Sequence, residues 1–192
     1  MLTDDTPLNI EHRDPEQHDR SGFDCSAERL NRFLKLSAKK QQKDDMTRVH
    51  VAVEPGEVKI FGYHAASVGN MNVAELAKPP RGTPNHCEIP VLFLGQVAVD
   101  QETRAPGSAP MHHVFKKACV VDDEAGCHAV LPDVMSDGDA DAFARHKGRY
   151  QEFGFQSFVS NEARMFMTMK QIRQIVGIQN SIRLLSWPLP SG

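Results

Sequence analysis

No stretch of this chain stays apolar for the roughly 18 to 20 residues that a membrane-spanning helix needs, and the opening MLTDDTPLNIEHRD is too acidic and polar for a signal peptide. A cytoplasmic protein is expected. The cysteines Cys25, Cys87, Cys119 and Cys127 fall in no CxxC or zinc-ribbon spacing, so neither a disulfide framework nor a structural metal is indicated, and reduced, mostly buried thiols are the reading. Histidine is plentiful, but the adjacent pairs His112-His113 and Cys127-His128 cannot each grip one ion. Neighbours diverge by about 100° on a helix and point to opposite faces of a strand, so no metal is expected. There is no G-x-S-x-G nucleophile elbow and no internal repeat. A net charge of −3 denies the chain a general basic field, so a nucleic-acid partner would have to be met by a local patch.

What is present is enough apolar material, 40% of 192 residues, for one substantial core. Residues 1–22 are polar and read as an arm or a first strand with polar flanks. From Ser26 to Lys43 an apolar face of Leu30, Phe33, Leu34 and Leu36 predicts a helix. Its other face carries Arg29, Arg32, Lys35, Lys39, Lys40 and Lys43, a pattern that also suits a plain solvated surface. RVHVAVE and VKIFGYHAASVG alternate like strands around Pro55-Gly56 and predict a hairpin. The proline-rich stretch after them is a loop with one helical turn at most. PVLFLGQVAVD is apolar almost throughout and predicts a central strand buried on both faces. A helix from about 111, a strand CHAVLPDVM, a helix from Ser136 through Tyr150 and Phe153, two late strands and a short closing helix KQIRQIV complete an α/β alternation. The tail 177–192 reads as an appendage.

The chemistry concentrates where the central strand runs into R-A-P-G-S-A, Arg104 to Ala109, and then a helix. A glycine-bearing loop at a helix N-terminus aims several backbone N–H groups at one point, and the helix dipole favours an anion there; a pyrophosphate fits. The segment PVLFLGQVAVDQETRAPGSA resembles the central strand and acetyl-CoA loop of GNAT acetyltransferases, of the form Q/R-x-x-G-x-G/A, with Arg104, Gly107 and Ala109 at the specified positions. FDCSAERLNRFLKLSAKKQQKDDMTRVHVAV is similar to the opening of the GNAT toxins, with D-C, then L-N-x-F-L, then R-x-x-V-A-V. RYQEFGF is similar to their aromatic-x-x-F-G-F segment. Two departures stand out: Pro106 removes one possible N–H donor from the loop, and His112 and His113 stand where aliphatic residues are more usual.

The resemblance implies an α/β GNAT fold over residues 23–176: a mixed central sheet flanked by helices, in which strands 91–99 and 128–134 splay apart to admit acetyl-CoA. It implies that Val97, Ala98 and Val99 meet the pantetheine arm, that Arg104, Ala105, Pro106, Gly107, Ser108 and Ala109 hold the pyrophosphate, and that Tyr150 is the general acid, with Phe143 as a rival alignment. Arg29, Lys35, Lys39, Arg145 and Arg149 are the candidates for contact with RNA phosphates. By the same resemblance the substrate is aminoacyl-tRNA, the inhibitor a ribbon-helix-helix antitoxin and the assembly a homodimer. Two other readings stay open: an acetyltransferase for a small amine or a protein lysine, and a non-catalytic GNAT binding subunit.

Overall fold

In Arg48–Val53 a period of two places Val49, Val51 and Val53 on one face, all buried, and His50 and Ala52 on the other. That strand, β2, pairs antiparallel with β1 (Asn9–His12) and with β3 (Gly62–Asn72). β3 pairs in turn with β4 (Glu88–Val99), and β4 is followed by β5 (Ala129–Pro132), β7 (Met165–Thr168) and β6 (Gln156–Ser157). Among the described residues the sheet has seven strands in the order β1-β2-β3-β4-β5-β7-β6, of which only β4 and β5 run parallel. The computed structural model describes residues 8–76, 84, 86–102, 108–135 and 139–185, with backbone alone from 178.

Helices cover both faces. On one lies a continuous helical segment formed by α1 (Glu28–Arg32), a π-helical turn (Phe33–Ser37) and α2 (Ala38–Lys43). Phe33, Leu34 and Ala38 pack there on Val49, Val51, Tyr63 and Ala98. Leu36, expected on this apolar face, is 69% exposed, because the extra residue of the π turn advances the buried stripe past it. The other face is covered by α3 (Ser108–Ala125) and α5 (Met169–Leu185). Met111, Val114, Phe115 and Ala118 of α3 meet Leu92, Leu94 and Val130 of the sheet in that core.

Several sequence expectations shift. α5 runs through Gly177 to Leu185, so the closing helix is longer than KQIRQIV and takes in half of the expected appendage; one glycine costs a helix only about 1 kcal/mol. α4 (Ala140–Phe153) is capped by Asp139, whose side chain accepts from the Asp141 and Ala142 N–H groups at 2.9 and 3.1 Å; Ser136, the expected cap, lies outside the described residues. The polar N-terminal stretch supplies β1, an edge strand. β4 is central, but it is not buried throughout: Gly95, Gln96, Val97 and Val99 are half-exposed.

Candidate active site

The exposure of the second half of β4 follows from how its neighbours pair. β5 accompanies β4 only from Val91 to Leu94, ending at Pro132 opposite Leu94. On the other side the β3 register shifts at the same place: Ala66 faces Leu94 and Ala65 faces Gln96, which leaves Gly95 as the extra residue of a β-bulge. From Gly95 to Val99, β4 therefore keeps its β3 partner and has no β5 neighbour.

Backbone groups alternate in direction along a strand. The Ala98 carbonyl lies against β3, where a Cβ on Gly62 would come within 3.2 Å of it, and the Asp100 N–H donates to Phe61 at 2.9 Å. Alternating with them, the N–H and C=O of Val97 and Val99 must point the other way, into the gap left by β5. Acceptors and donors are thus presented in a row to whatever lies there.

That gap is a cleft of about 730 Å³. Val97, Ala98 and Val99 form one wall, and Ser108, at the first turn of α3, marks its end. Opposite stand Arg149, Tyr150 and Phe153 of α4. The α4 side is held in place by Gly154, whose φ of 101° reverses the chain so that Phe155 can pack edge-on against Tyr150 with ring centroids 5.5 Å apart. Burial, and then the carboxylate of Asp133, raise the pKa of Tyr150 above the ordinary phenol value, so its hydroxyl keeps its proton at neutral pH. Arg104, Ala105, Pro106 and Gly107 lie outside the described residues; Ala109 is in the first turn of α3.

Of the basic candidates, Arg29 and Arg149 line the cleft, and the Arg29 guanidinium reaches Met135 across its mouth. Lys35 and Arg32 line an adjoining hollow of about 630 Å³ that shares Ser26 and Gln101 with the cleft. Lys39 is not with them: it pairs with Glu16 at 2.9 Å. Arg145 is exposed on α4 and does not line the cleft.

No family model matches the chain. A protein described as a probable toxin TacT, from Sinorhizobium fredii, is 31% identical over 171 residues, spanning 88% of this chain and 94% of the relative. The chain belongs to the TacT toxin family. Among solved structures, a tyrosine-to-phenylalanine mutant of KacT matches with a TM-score of 0.76 at 25% identity, over 88% of this chain and 98% of that one. AtaT complexed with acetyl-methionyl-tRNAfMet matches with a TM-score of 0.75 at 23% identity, over 88% and 99%. AtaTR bound with acetyl-CoA matches at 0.72 and 23% identity, over 88% and 97%. The fold is the GNAT fold of these toxins.

In this TacT-family chain two features of the site lie beyond the sequence reading. Asn31, inside the L-N-x-F-L string, accepts from the Cys25 N–H at 3.0 Å and donates to Asp24 at 2.8 Å, while buried Asp100 accepts from the Asp24 N–H at 2.9 Å. The D-C…N spacing thus fixes the turn at Cys25–Ala27 that floors the cleft. Buried Tyr63 donates its hydroxyl to the Leu30 carbonyl at 2.9 Å, fastening the basic helix to β3. The D-C and L-N-x-F-L strings were the available signal for the first; a lone tyrosine in a strand gave none for the second.

Proposed function

We propose that this chain is an acetyl-CoA-dependent N-acetyltransferase toxin that acetylates the α-amine of aminoacyl-tRNA and so blocks translation. The observation that carries this reading is the cleft itself: an unpaired stretch of β4 backbone, a helix N-terminus at one end and a protonated tyrosine opposite. Acetyl-CoA fits it as co-substrate. The pantetheine arm would take the place of the missing strand along Val97 and Val99, and the pyrophosphate would be held by Arg104, Ala105, Pro106 and Gly107 together with Ser108 and Ala109 of the first turn of α3.

The chemistry needs little else. An α-amine has a reference pKa of roughly 7.7 to 8.0, so part of it is neutral near pH 7 and a strong protein base is dispensable. Attack on the thioester pushes charge onto its carbonyl oxygen, which the Val97 N–H can stabilise. Collapse of the tetrahedral adduct breaks the C–S bond; Tyr150 gives its proton to the departing sulfur, and the proton shed by the acylated nitrogen passes through water to restore the phenol. Tyrosine-to-phenylalanine mutants of KacT and of AtaT are among the solved relatives.

Arg29 and Arg149 at the cleft, with Lys35 beside it, supply the local basic patch that a chain of net charge −3 needs to meet RNA. AtaT has been solved with acetyl-methionyl-tRNAfMet and, as a mutant, with the C-terminus of the antitoxin AtaR, and KacTA with DNA. The same proposal makes the chain a cytoplasmic homodimer neutralised by a ribbon-helix-helix antitoxin, with its catalytic unit in residues 23–176. The experiment is acetyl transfer from labelled acetyl-CoA to a panel of charged tRNAs, polyamines and peptides. Preferential labelling of charged tRNA is expected; labelling confined to polyamines or peptides would reassign the substrate.

A further inference from the structure

The sheet carries a row of histidines that the acetyl-transfer chemistry does not use. Register places His12 opposite His50 and His50 opposite His64, so three imidazoles stand side by side on one face across β1, β2 and β3. From above, His113 of α3 comes down onto this row, with its ring centroid 4.7 Å from that of His50 and 5.1 Å from that of His64. One ring nitrogen from each of His50, His64 and His113 lies within 4.8 Å of the other two. His50 and His64 are 9% and 1% exposed, and His113 is half-buried.

Packing alone accounts poorly for this arrangement. Three neutral imidazoles hold six ring nitrogens, yet the hydrogen bond among them joins only His64 Nε2 and His113 Nδ1, at 2.8 Å. Nδ1 of His50 and Nδ1 of His64 are buried with no partner among the described residues. Buried polar atoms without partners are uncommon, and an ion is one of the groups that satisfies them. Burial is also the main force holding the three rings neutral, with neighbouring imidazoles adding to it at His50 and His64 and Lys117 at all three, and neutral imidazole is the ligating form.

We propose that His50, His64 and His113 form a binding site for one divalent transition-metal ion of the zinc class. Imidazole suits zinc, copper and nickel rather than magnesium or calcium, which prefer oxygen ligands. Three nitrogens on a tetrahedral ion at about 2.0–2.1 Å stand roughly 3.4 Å apart, so side-chain rotations that open the 2.8 Å contact of His64 with His113 and draw His50 in would seat the ion. Water would fill the fourth position; the exposed His12, with its ring centroid 5.0 Å from that of His50, stands next in the row and outside the group of three. The nearby cations Lys116 and Lys117 are exposed, where solvent screens them.

The ion's role follows from what it joins. It ties α3 to β2 and β3, and α3 is the helix whose first turn opens on the cleft; His64 is the cross-strand neighbour of Val97. The site is a structural clip beneath the cleft, not a source of Lewis-acid chemistry within it. The adjacent pair His112-His113 does not chelate as a pair: His112 faces Phe153 instead. The ligands come from three separated elements, a pattern that sequence spacing does not display.

The test uses tag-free full-length protein. Zn²⁺ is titrated in competition with a chromogenic chelator, and Co²⁺ is added in parallel to look for the visible bands of tetrahedral cobalt. One equivalent of metal, tetrahedral cobalt bands and a raised Tm are expected for the wild type. His50→Gln and His113→Gln should each weaken binding by about tenfold or more, whereas His12→Gln should leave a three-histidine site in place. Because His113 is half-buried on a helix, His113→Gln decides the matter if His50→Gln fails to fold. Absence of stoichiometric binding, or binding that survives His113→Gln unchanged, overturns the proposal.

Discussion

Leu94 of β4 and Pro132 of β5 are the last residues that the two parallel strands share, and the bulge at Gly95 begins immediately after them. The consequence is readable amide by amide. Ala98 faces β3, so its N–H should be strongly protected from hydrogen exchange. Val97 and Val99 face the gap and should exchange faster until acetyl-CoA is added, when their protection should rise. Exchange followed by NMR checks this, and equal protection of Val97 and Ala98 in the free protein would mean that the edge of β4 is closed.

Charge reversal separates the basic residues that the fold brings together from those that it does not. Arg29→Glu and Arg149→Glu should weaken tRNA binding and flatten its dependence on salt, each phosphate contact being worth a slope of roughly 0.7 to 0.9. Lys39→Glu removes a side chain already paired with Glu16, away from the cleft, and should matter less. Filter binding across a salt series measures both, with acetyl-CoA affinity as the control for folding. A larger loss from Lys39→Glu than from Arg149→Glu would place the RNA on another face.

The histidine row makes stability depend on acid even without metal. Burial first, then neighbouring charges, lowers His50 to about 3, His64 to about 2 and His113 to about 4, against roughly 6.5 in the unfolded chain. Below pH 6.5 the unfolded chain takes up protons that the folded one refuses, so stability declines as pH falls from about 6.5 toward 4 and is fully present above that window. One such group gives at most about 1.4 kcal/mol per pH unit. Thermal unfolding in chelator should show this decline in the wild type and a shallower one in His50→Gln. A Tm that does not change across the window would contradict the burial of neutral rings.

The sequence made the order of elements legible because each has a clear period: alternation in RVHVAV, a helical stripe in MHHVFKKAC, and a strand running into a glycine loop. Boundaries were less legible where a local signal was outvoted. The closing helix reads as KQIRQIV alone, yet α5 continues to Leu185, and Leu36 reads as part of the apolar face although the π turn carries it outward. The cleft was legible only through resemblance, since the departure of β5 from β4 is a property of pairing that neither strand announces. The histidine cluster was not legible at all. His50, His64 and His113 are far apart in the chain, and only the register of β2 with β3 and the seating of α3 bring them together.

Tyr150 provides the most direct test of the proposed chemistry. Tyr150→Phe keeps the ring and its edge-on contact with Phe155 and removes only the hydroxyl, so stability should change by about 1 kcal/mol or less and acetyl-CoA should bind as before. Turnover should fall by about 10²- to 10⁴-fold, the range for loss of a general acid. The rival aromatic, Phe143, packs at the rim of the core with Lys147 over its ring and does not line the cleft, so Phe143→Leu should act through stability and leave the rate of the folded fraction nearly unchanged. Single-turnover rates at saturating acetyl-CoA, measured beside denaturant melts, keep the two effects apart. In cells, Tyr150→Phe should relieve growth arrest when the chain is expressed alone. If the variant instead acetylates charged tRNA at the wild-type rate, the proton reaches the sulfur from another group or from water. Tyr150 would then be a wall of the cleft rather than its acid.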